Sequence, residues 1–336
     1  MTRRLLIFAL LASATIALLL LNVFFGAVDI PAADVCDILL GRDVHDDSWR
    51  FIILESRLPQ AVTALLCGCS LAVCGLMLQA VFRNPLADPS ILGISSGAGL
   101  GVAFVMLLYG GSVSVGMLSI GGFATVLAAA FIGATAVTLL MFSLSSIIRS
   151  DAMLLIAGVM VGYLSSSIIV LLSYYASEEG LRAYTLWGMG NFASVSTERL
   201  PLFSIIAIVC LSASVLLVKS LNILSLGTLY AENLGVNTRQ LRGTVLIVTG
   251  ILTALTTSFC GPVAFIGLAV PHIARMALHT DDYRKLLPAT ILTGGGVAMA
   301  CNLACTMTPS GTMLPVNAVT PVIGAPVILY VMTKRR

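Results

Sequence analysis

RNPLADPSILGISSGAG, residues 83–99, joins two apolar segments that are each long enough to cross a lipid bilayer. Pro85 and Pro89 bracket a polar turn, and a helix start with Ser95, Ser96 and three closely spaced glycines follows. Proline disfavours helix at the residue that precedes it, and it is favoured at the first position of a new helix. The stretch therefore predicts that the chain turns at one end of the membrane and starts a second helix there.

The composition of the chain agrees with a lipid environment. Of 336 residues, 58% are hydrophobic and 10% are charged, and the mean hydropathy is +1.04. A soluble domain carries about 25% charged residues, so this composition excludes a soluble core. In lipid the backbone must satisfy its own hydrogen bonds, and long uncharged runs favour helices over the alternating strands of a barrel. The sequence predicts an all-α membrane protein with a single domain over residues 1–336.

Ten apolar runs are candidates for membrane spans. The first run follows Arg3 and Arg4 and is longer than the roughly 7–15-residue core of a cleaved signal peptide, so we interpret it as a retained span. The stretch from 243 to 278 is nearly continuous, and we divide it at Gly261-Pro262. The predicted spans are 4–27, 59–80, 90–109, 117–140, 151–175, 200–218, 243–260, 262–278, 287–305 and 315–332.

The distribution of charge predicts the orientation of these spans. Basic residues stand at both ends of the chain, and if both ends lie inside, the number of spans is even, as ten is and nine is not. With the N-terminus inside, 13 of the 18 Lys and Arg residues fall on the inner side, and 10 of the 15 Asp and Glu residues fall on the outer side. This bias predicts a multi-pass protein of the cytoplasmic (inner) membrane with both termini in the cytoplasm.

No Asp, Glu, Lys or Arg residue lies near the middle of a predicted span. Ion-coupled transporters usually keep ionisable residues there, and intramembrane enzymes need converging catalytic groups, which the three histidines do not provide. The dipeptide Gly-Lys of a Walker A loop does not occur, so any ATPase must be another chain. We therefore expect no catalytic residues. An ion-coupled secondary transporter or channel is the alternative function.

Two cysteine pairs have spacings that could suit a metal. Cys67 and Cys69 are two positions apart, and Cys301 and Cys305 are four positions apart. A metal site needs more converging ligands than either pair supplies, and small buried cysteines are common within helices. We expect no metal site.

Seven motifs follow one another along the chain: RLPQ (57–60), the Gly/Cys/Ala-rich span that ends at Gln79, RNPLADPSILGISSGAG (83–99), LWGMGNF (186–192), LGTLYAENLGVN (226–237), GPVAFIGLAVPHIAR (261–275) and LPVNAVTPVIGAP (314–326). In this order they resemble the FecCD-type permeases of ABC importers, the membrane subunits that serve iron-siderophores, haem and cobalamin. The resemblance covers residues 55–332 and implies a type II ABC importer permease with about ten transmembrane helices.

The resemblance also implies partners and cargo. The permease would pair with a second copy of itself around a central path, with two cytoplasmic ATPase subunits, and with an external substrate-binding protein. ATP and magnesium would be held by the ATPase, and this chain would bind no cofactor and no nucleic acid. The cargo would be a metal chelate, with iron-siderophore first and haem or cobalamin as alternatives.

The longest predicted inner loop, residues 219–242, is the candidate coupling segment. Its glycines interrupt a short helical pattern, and such short helices can fit a groove on a partner. An ordinary interfacial amphipathic loop is the alternative. The resemblance implies that the segment docks on the ATPase through Leu226, Gly227, Leu229, Tyr230, Ala231, Glu232, Leu234 and Gly235.

The polar turn of the opening motif is a candidate cytoplasmic gate. Asn84 and Leu86 would approach their symmetry mates in the second copy and close the path, and Ser150, before the fifth span, is a further gate candidate. The alternative is a tight turn with capping residues.

The outer loops are expected to receive the binding protein, for which Arg57 matches an arginine of the family. The family pattern has an arginine where this chain has Gln60, an Asp and an Arg where it has Asn302 and Cys305, and a Glu where it has Met313. We therefore predict that docking uses Arg57 together with contacts outside the usual charged pattern.

Overall fold

The computed structural model describes residues 2–42, 46–109, 112–115, 118–148, 150–308 and 312–334. Helices dominate these ranges. In chain order they are α1 (Thr2–Phe24), α2 (Ala32–Leu39), α3 (Asp47–Phe51), α4 (Leu58–Val81), α5 (Ile94–Tyr109), α6 (Phe123–Ile147), α7 (Asp151–Tyr175), α8 (Glu178–Gly188), α9 (Leu200–Ser225), α10 (Thr228–Asn233), α11 (Thr238–Cys260), α12 (Ile266–Leu278), α13 (Tyr283–Thr306) and α14 (Val316–Lys334). A π-helical segment, Ile52–Arg57, joins α3 to α4, and a 3₁₀ turn, Phe192–Ser194, follows α8.

Each of the ten predicted spans contains one apolar helix. Seven helical stretches, which include α1, α4, α6, α7, α9, α11 and α13, are long and apolar enough to cross a membrane. The shorter apolar helices α5, α12 and α14 complete the set. The all-α membrane fold is confirmed.

The division at Gly261-Pro262 is also confirmed, because α11 ends at Cys260 and α12 begins at Ile266. Gly261 has φ +74°, a conformation that favours glycine, and a Cβ there would lie 2.4 Å from the backbone oxygen of Trp187. The break between the two helices therefore depends on a glycine.

Two short strands depart from the helical prediction. β1 (Ser112–Val115) and β2 (Leu118–Gly121) pair antiparallel between α5 and α6. The predicted span over 117–140 starts too early, because α6 begins only at Phe123. Alternating Ser and Val residues over 112–115 follow the period of a strand rather than that of a helix.

Helix α4 is the centre of the bundle, and 20 of its 24 residues are buried. Glycines allow its neighbours to approach closely. A Cβ on Gly68 would lie 2.2 Å from the backbone oxygen of Gly294 in α13, and a Cβ on Gly75 would lie 1.7 Å from that of Gly267 in α12. Such small-residue contacts bring helix backbones together where lipid provides no hydrophobic driving force between helices.

The first and last described helices bring Arg4 and Tyr330 to one face of the bundle, which we call the termini face. Arg4 of α1 lines a groove with His279 and Lys285, and Tyr330 of α14 lines a second groove with His279 and Asp281. An even number of crossings follows from this arrangement. The cytoplasmic location of the termini face stays a prediction from the charge bias.

Candidate gate and coupling surface

The gate segment, residues 83–93, connects α4 to α5. Asn84 shapes its first turn, because its side-chain oxygen accepts a hydrogen bond from the backbone N–H of Leu86 at 2.9 Å and its carbonyl accepts one from Ala87 at 3.0 Å. Asn84 and Leu86 are both half-buried. The turn predicted from the two prolines is therefore present, and the pairing of Asn84 and Leu86 with a second copy stays a prediction.

The charge distribution places Asp88 on the inner side of the membrane, ahead of the predicted span 90–109, but the gate segment runs back into the bundle and buries this residue. Asp88 is 8% exposed, and its Oδ1 accepts hydrogen bonds from the backbone N–H (2.9 Å) and the hydroxyl (2.6 Å) of Ser90. A Cβ on Gly267 would lie 2.4 Å from Oδ2 of Asp88 and 3.0 Å from the carbonyl oxygen of Leu71, near the middle of α4. A carboxylate thus lies inside the helical bundle, where hydropathy predicted none.

Helix α12 holds the gate segment from one side. Nε2 of His272 lies 2.9 Å from the carbonyl oxygen of Pro85, and because that oxygen can only accept, Nε2 donates. One turn later, Nη1 of Arg275 donates to Oε1 of Gln79 at 2.7 Å, and Nε2 of Gln79 donates to the carbonyl of Leu268 at 3.3 Å. Apart from the spacing of His272 and Arg275, which lie one helical turn apart, nothing in the sequence pattern indicates these contacts.

Helix α10 lies on the other side of the gate segment. Nη2 of Arg83 donates a hydrogen bond to Oγ1 of Thr228, the first residue of α10. Residue 83 belongs to the gate segment and Thr228 belongs to the predicted coupling segment, so the structure brings the two sequence motifs into direct contact. Because Arg83 and Thr228 are 145 positions apart in the chain, no local sequence pattern predicts this contact.

The loop predicted over 219–242 is partly helical in the structure. Helix α9 continues to Ser225 and α11 begins at Thr238, so the connection between them covers 226–237 and holds the short helix α10, and the coupling role of 219–242 stays a prediction. Gly227 (φ +125°) and Gly235 (φ +82°) flank that helix in conformations that favour glycine. Of the predicted contact residues, Ala231 is buried in the chain, so its contact with a partner stays a prediction that burial disfavours. Glu232 accepts a hydrogen bond of 2.8 Å from the hydroxyl of Thr238.

Four large apolar side chains of this connection are exposed. The exposed fractions of Leu226, Leu229, Tyr230 and Leu234 are 64%, 78%, 68% and 60%. A cluster of large apolar side chains around a polar connection is typical of an interaction surface. We call these four residues the coupling surface.

Ser150 caps α7 rather than contacting the gate turn. Its hydroxyl accepts a hydrogen bond of 3.4 Å from the backbone N–H of Met153. Arg242 of α11 holds the same corner, because it pairs with Asp151 and donates to the carbonyl of Ile148 at 3.2 Å. The gate role of Ser150 stays a prediction.

Arg57 lies at the opposite face and is only 6% exposed. Its guanidinium donates to the carbonyls of Val23 (3.2 Å), Phe24 (2.8 Å) and Val28. These carbonyls belong to the C-terminal end of α1 and the turn after it, where helix carbonyls lack intrahelical partners. The geometry therefore makes Arg57 a cap of α1, and its docking role stays a prediction that burial disfavours.

Three of the positions that depart from the family pattern meet near Arg57. Nε2 of Gln60 lies 2.8 Å from Oδ1 of Asn302 and 3.8 Å from the sulfur of Met313. Nδ2 of Asn302 donates to Oδ1 of Asn22 at 2.8 Å, which extends the chain of amides into α1. The substitutions are visible in the sequence, but only the structure shows that the side chains of Gln60, Asn302 and Met313 are in contact.

No cluster of three or more His, Cys, Asp or Glu side chains suited to a metal occurs among the described residues. Cys67, Cys69, Cys301 and Cys305 are buried and free of disulfides.

Comparison with known proteins identifies the architecture. A solved metal-chelate type ABC transporter in an inward-facing conformation matches with a TM-score of 0.84 and 28% identity, over 98% of this chain and 99% of that one. The vitamin B12 import system permease protein BtuC of Yersinia enterocolitica is 32% identical over 86% of this chain and 83% of its own length. The hemin transport system permease protein HmuU of Yersinia pestis is 31% identical over 95% and 94%.

The family model for the FecCD transport family matches residues 14–334, which include the second half of α1 and all of the later helices. The match extends well beyond half of the chain, and it contains the gate segment, α12 and the coupling surface described above. The chain belongs to the FecCD transport family.

Proposed function

We propose that this chain is the membrane-spanning permease subunit of an ABC importer that moves a metal chelate across the cytoplasmic membrane by alternating access. The observation that carries the proposal is the contact between Arg83 and Thr228, which joins the gate segment to α10, the helix that carries Leu229 and Tyr230 of the coupling surface. The family assignment and the transport names of the relatives support it.

The proposed complex has two copies of this chain, two cytoplasmic ATPase subunits and an external binding protein. The ATPases hold ATP and magnesium, and the coupling surface, with its four exposed apolar residues, docks on them. Docking buries apolar surface that the chain alone leaves exposed, which favours association.

The contacts around the gate segment suggest how motion is transmitted. A shift of α10 that follows ATP binding pulls on the gate segment through Arg83, while His272 and Pro85 hold the segment to α12. The segment thus has a polar link to α10 and one to α12 near its start and a buried carboxylate deeper in the bundle, which suits a rearrangement of the segment as a unit. This chain supplies the path and the gate, and ATP is hydrolysed elsewhere.

The proposed cargo is a metal chelate, with iron-siderophore as the first candidate. The relatives named for vitamin B12 and hemin extend the set to cobalamin and haem. The chelates share a bulky organic shell around the metal, so the permease needs no metal ligands of its own, and selectivity rests with the binding protein.

A second candidate, an ion-coupled transporter, is favoured by Asp88. A carboxylate inside a membrane bundle is a usual feature of proton and ion relays. Under this hypothesis uptake follows an ion gradient and requires the ionisable carboxyl group of Asp88. Under the ABC hypothesis Asp88 is a structural residue that accepts hydrogen bonds from Ser90.

Reconstitution separates the two hypotheses. Proteoliposomes that contain this chain, its ATPase and its binding protein are offered iron-siderophore, haem and cobalamin. We expect uptake of one chelate that requires ATP, is stopped by vanadate and is insensitive to a protonophore. The ion-coupled hypothesis would be established instead if a proton gradient drove uptake without ATP and if Asp88→Asn abolished that uptake.

A further inference from the structure

A groove at the termini face lies between the start of α1 and the connection from α12 to α13. Its volume is about 750 Å³, and its basic lining residues are Arg4, His279 and Lys285. The apolar side chains of Leu5 and Phe8 form part of its wall on the α1 side. We call it the basic groove. None of the described residues that line it is acidic.

The charges at the groove are only partly compensated within the chain. Nζ of Lys285 lies 3.3 Å from Oδ2 of Asp282, one turn earlier in the chain. A hydrogen bond from the backbone N–H of Arg284 holds the pKa of Asp282 below its usual value, so this carboxylate stays ionised and pairs with Lys285. Arg4 has no ion pair with any described residue, and His279 adds a polar ring at the mouth. The groove therefore has net positive charge.

The position of the groove indicates what can reach it. Helix α1 lies at the edge of the bundle and packs mainly along α13. Leu5 lines the groove and is 62% exposed, and it lies at the border of the apolar outer face of α1, which continues with Leu6 and Leu10 at 61% and 59% exposure. A molecule that fills the groove and covers this face must carry an anionic group at one end and an apolar body at the other.

We propose that the basic groove binds an anionic phospholipid of the surrounding bilayer, with its phosphate between Arg4 and Lys285 and its acyl chains along the exposed face of α1. Basic pockets between helices at the charged end of a membrane protein suit anionic headgroups, and each nearby cation strengthens the attraction. The bound lipid links α1 to the end of α12, and α12 also carries His272, which contacts the gate segment.

Free phosphate and a protein partner fit these observations less well. A free phosphate would leave the apolar wall of Leu5 and Phe8 in contact with water. A partner protein would need to reach past the edge of α1 into the bilayer, because the apolar wall continues along that helix. The proposal concerns the groove alone and does not depend on the cargo or on the energy source.

The test measures lipid binding to the intact complex. The complex is titrated with phosphatidylglycerol in nanodiscs or detergent, and bound lipid is counted by native mass spectrometry, with phosphatidylcholine as the neutral comparison. We expect preference for phosphatidylglycerol, a loss of about fivefold in affinity for Arg4→Gln or Lys285→Gln, and about 25-fold for the double variant. Arg284→Gln removes one charge from an exposed neighbour outside the groove and is expected to change affinity less than twofold.

Several outcomes would overturn the proposal. These are equal binding of phosphatidylcholine and phosphatidylglycerol, displacement of the lipid by millimolar inorganic phosphate, and protection of the groove by the ATPase from a labelling reagent. If the double variant does not fold, Arg4→Lys with Lys285→Arg keeps both charges and is expected to retain at least half of the bound lipid. Loss of binding in that charge-conserving variant would also overturn it.

Discussion

Nε2 of Gln60 donates a hydrogen bond of 2.8 Å to Oδ1 of Asn302, although 242 positions separate the two residues in the chain. Both are buried, at 7% and 2% exposure, and Asn302 passes the chain of amides on to Asn22 of α1. These are two of the positions at which the family pattern has charged groups. Their contact means that one neutral pair stands where the pattern has an arginine and an aspartate, so the substitutions are related to each other.

The first prediction concerns this pair. Gln60→Arg alone places a cation in a buried site without a counter-charge and should destabilise the protein by about 3–5 kcal/mol. The double variant Gln60→Arg with Asn302→Asp should recover at least half of that loss. Thermal unfolding of the purified chain measures both, and Asn302→Asp alone serves as the matched control. Equal melting temperatures for the Gln60→Arg single and the double variant would contradict the pairing.

The second prediction concerns Gly267. Gly267→Ala adds a Cβ that would lie 2.4 Å from Oδ2 of Asp88, so the buried turn of the gate segment must shift. We expect a loss of about 1–3 kcal/mol in the free energy of unfolding and a marked loss of uptake. Gly296→Ala is the control, because its Cβ would meet its nearest atom, Oγ1 of Thr15, at 3.6 Å. The same effect from both substitutions would show that position 267 has no special constraint.

The third prediction concerns transmission between the coupling surface and the gate. Arg83→Ala or Thr228→Val removes the hydrogen bond that joins the gate segment to α10. We expect ATP hydrolysis in the assembled complex to persist while chelate uptake per ATP falls severalfold. Thr238→Val removes a hydroxyl whose partner, Glu232, lies within the same connection, and should leave the ratio unchanged. An unchanged ratio in both test variants would refute the transmission route.

The fourth prediction separates two roles of Arg57. Arg57→Gln leaves carbonyls at the end of α1 without their donor and should lower stability by about 2–3 kcal/mol, whereas affinity of the folded chain for the binding protein should change little. Arg42→Gln is the control, because Arg42 is exposed and pairs only at the surface with Asp37. Lost affinity together with unchanged stability in Arg57→Gln would favour docking by Arg57 over capping.

The fifth prediction concerns the coupling surface. Leu229→Asp or Tyr230→Asp puts a charge where apolar side chains are 78% and 68% exposed, and should weaken binding of the ATPase by at least tenfold. The fold should tolerate either change, because the native side chains contact little of the chain itself. Glu232→Gln is the control, because it alters the charge of the same helix without removing apolar surface. Unchanged ATPase binding in both aspartate variants would place the docking surface elsewhere.

Much of the architecture could be predicted from local sequence. The hydrophobic runs located one apolar helix in each of ten predicted spans, seven of them long enough to cross a membrane, and Gly261-Pro262 marked the break between α11 and α12. The strands over 112–121 were missed because alternating small and apolar residues resemble a helix start when only hydrophobicity is counted. The length of α9 was underestimated, since polar residues such as Lys219 and Asn222 extend a helix beyond its apolar part.

The site residues were harder to interpret because their roles depend on distant parts of the chain. Arg57 matched a docking residue by motif, and only its three carbonyl partners identify it as a cap of α1. Asp88 looked like a surface residue beside a proline turn, and only its position against Gly267 places it inside the bundle.

The sequence by itself determined the lipid environment, the ten apolar segments and the resemblance to the family, because hydropathy and motif order are properties of contiguous residues. The tertiary structure alone decided that Arg83 contacts Thr228, that Gln60 contacts Asn302 and that a carboxylate enters the bundle. Each of these depends on which helices pack side by side. In lipid that packing is set by close contacts of small residues such as Gly75 and Gly267 rather than by hydrophobicity, so no local pattern records it.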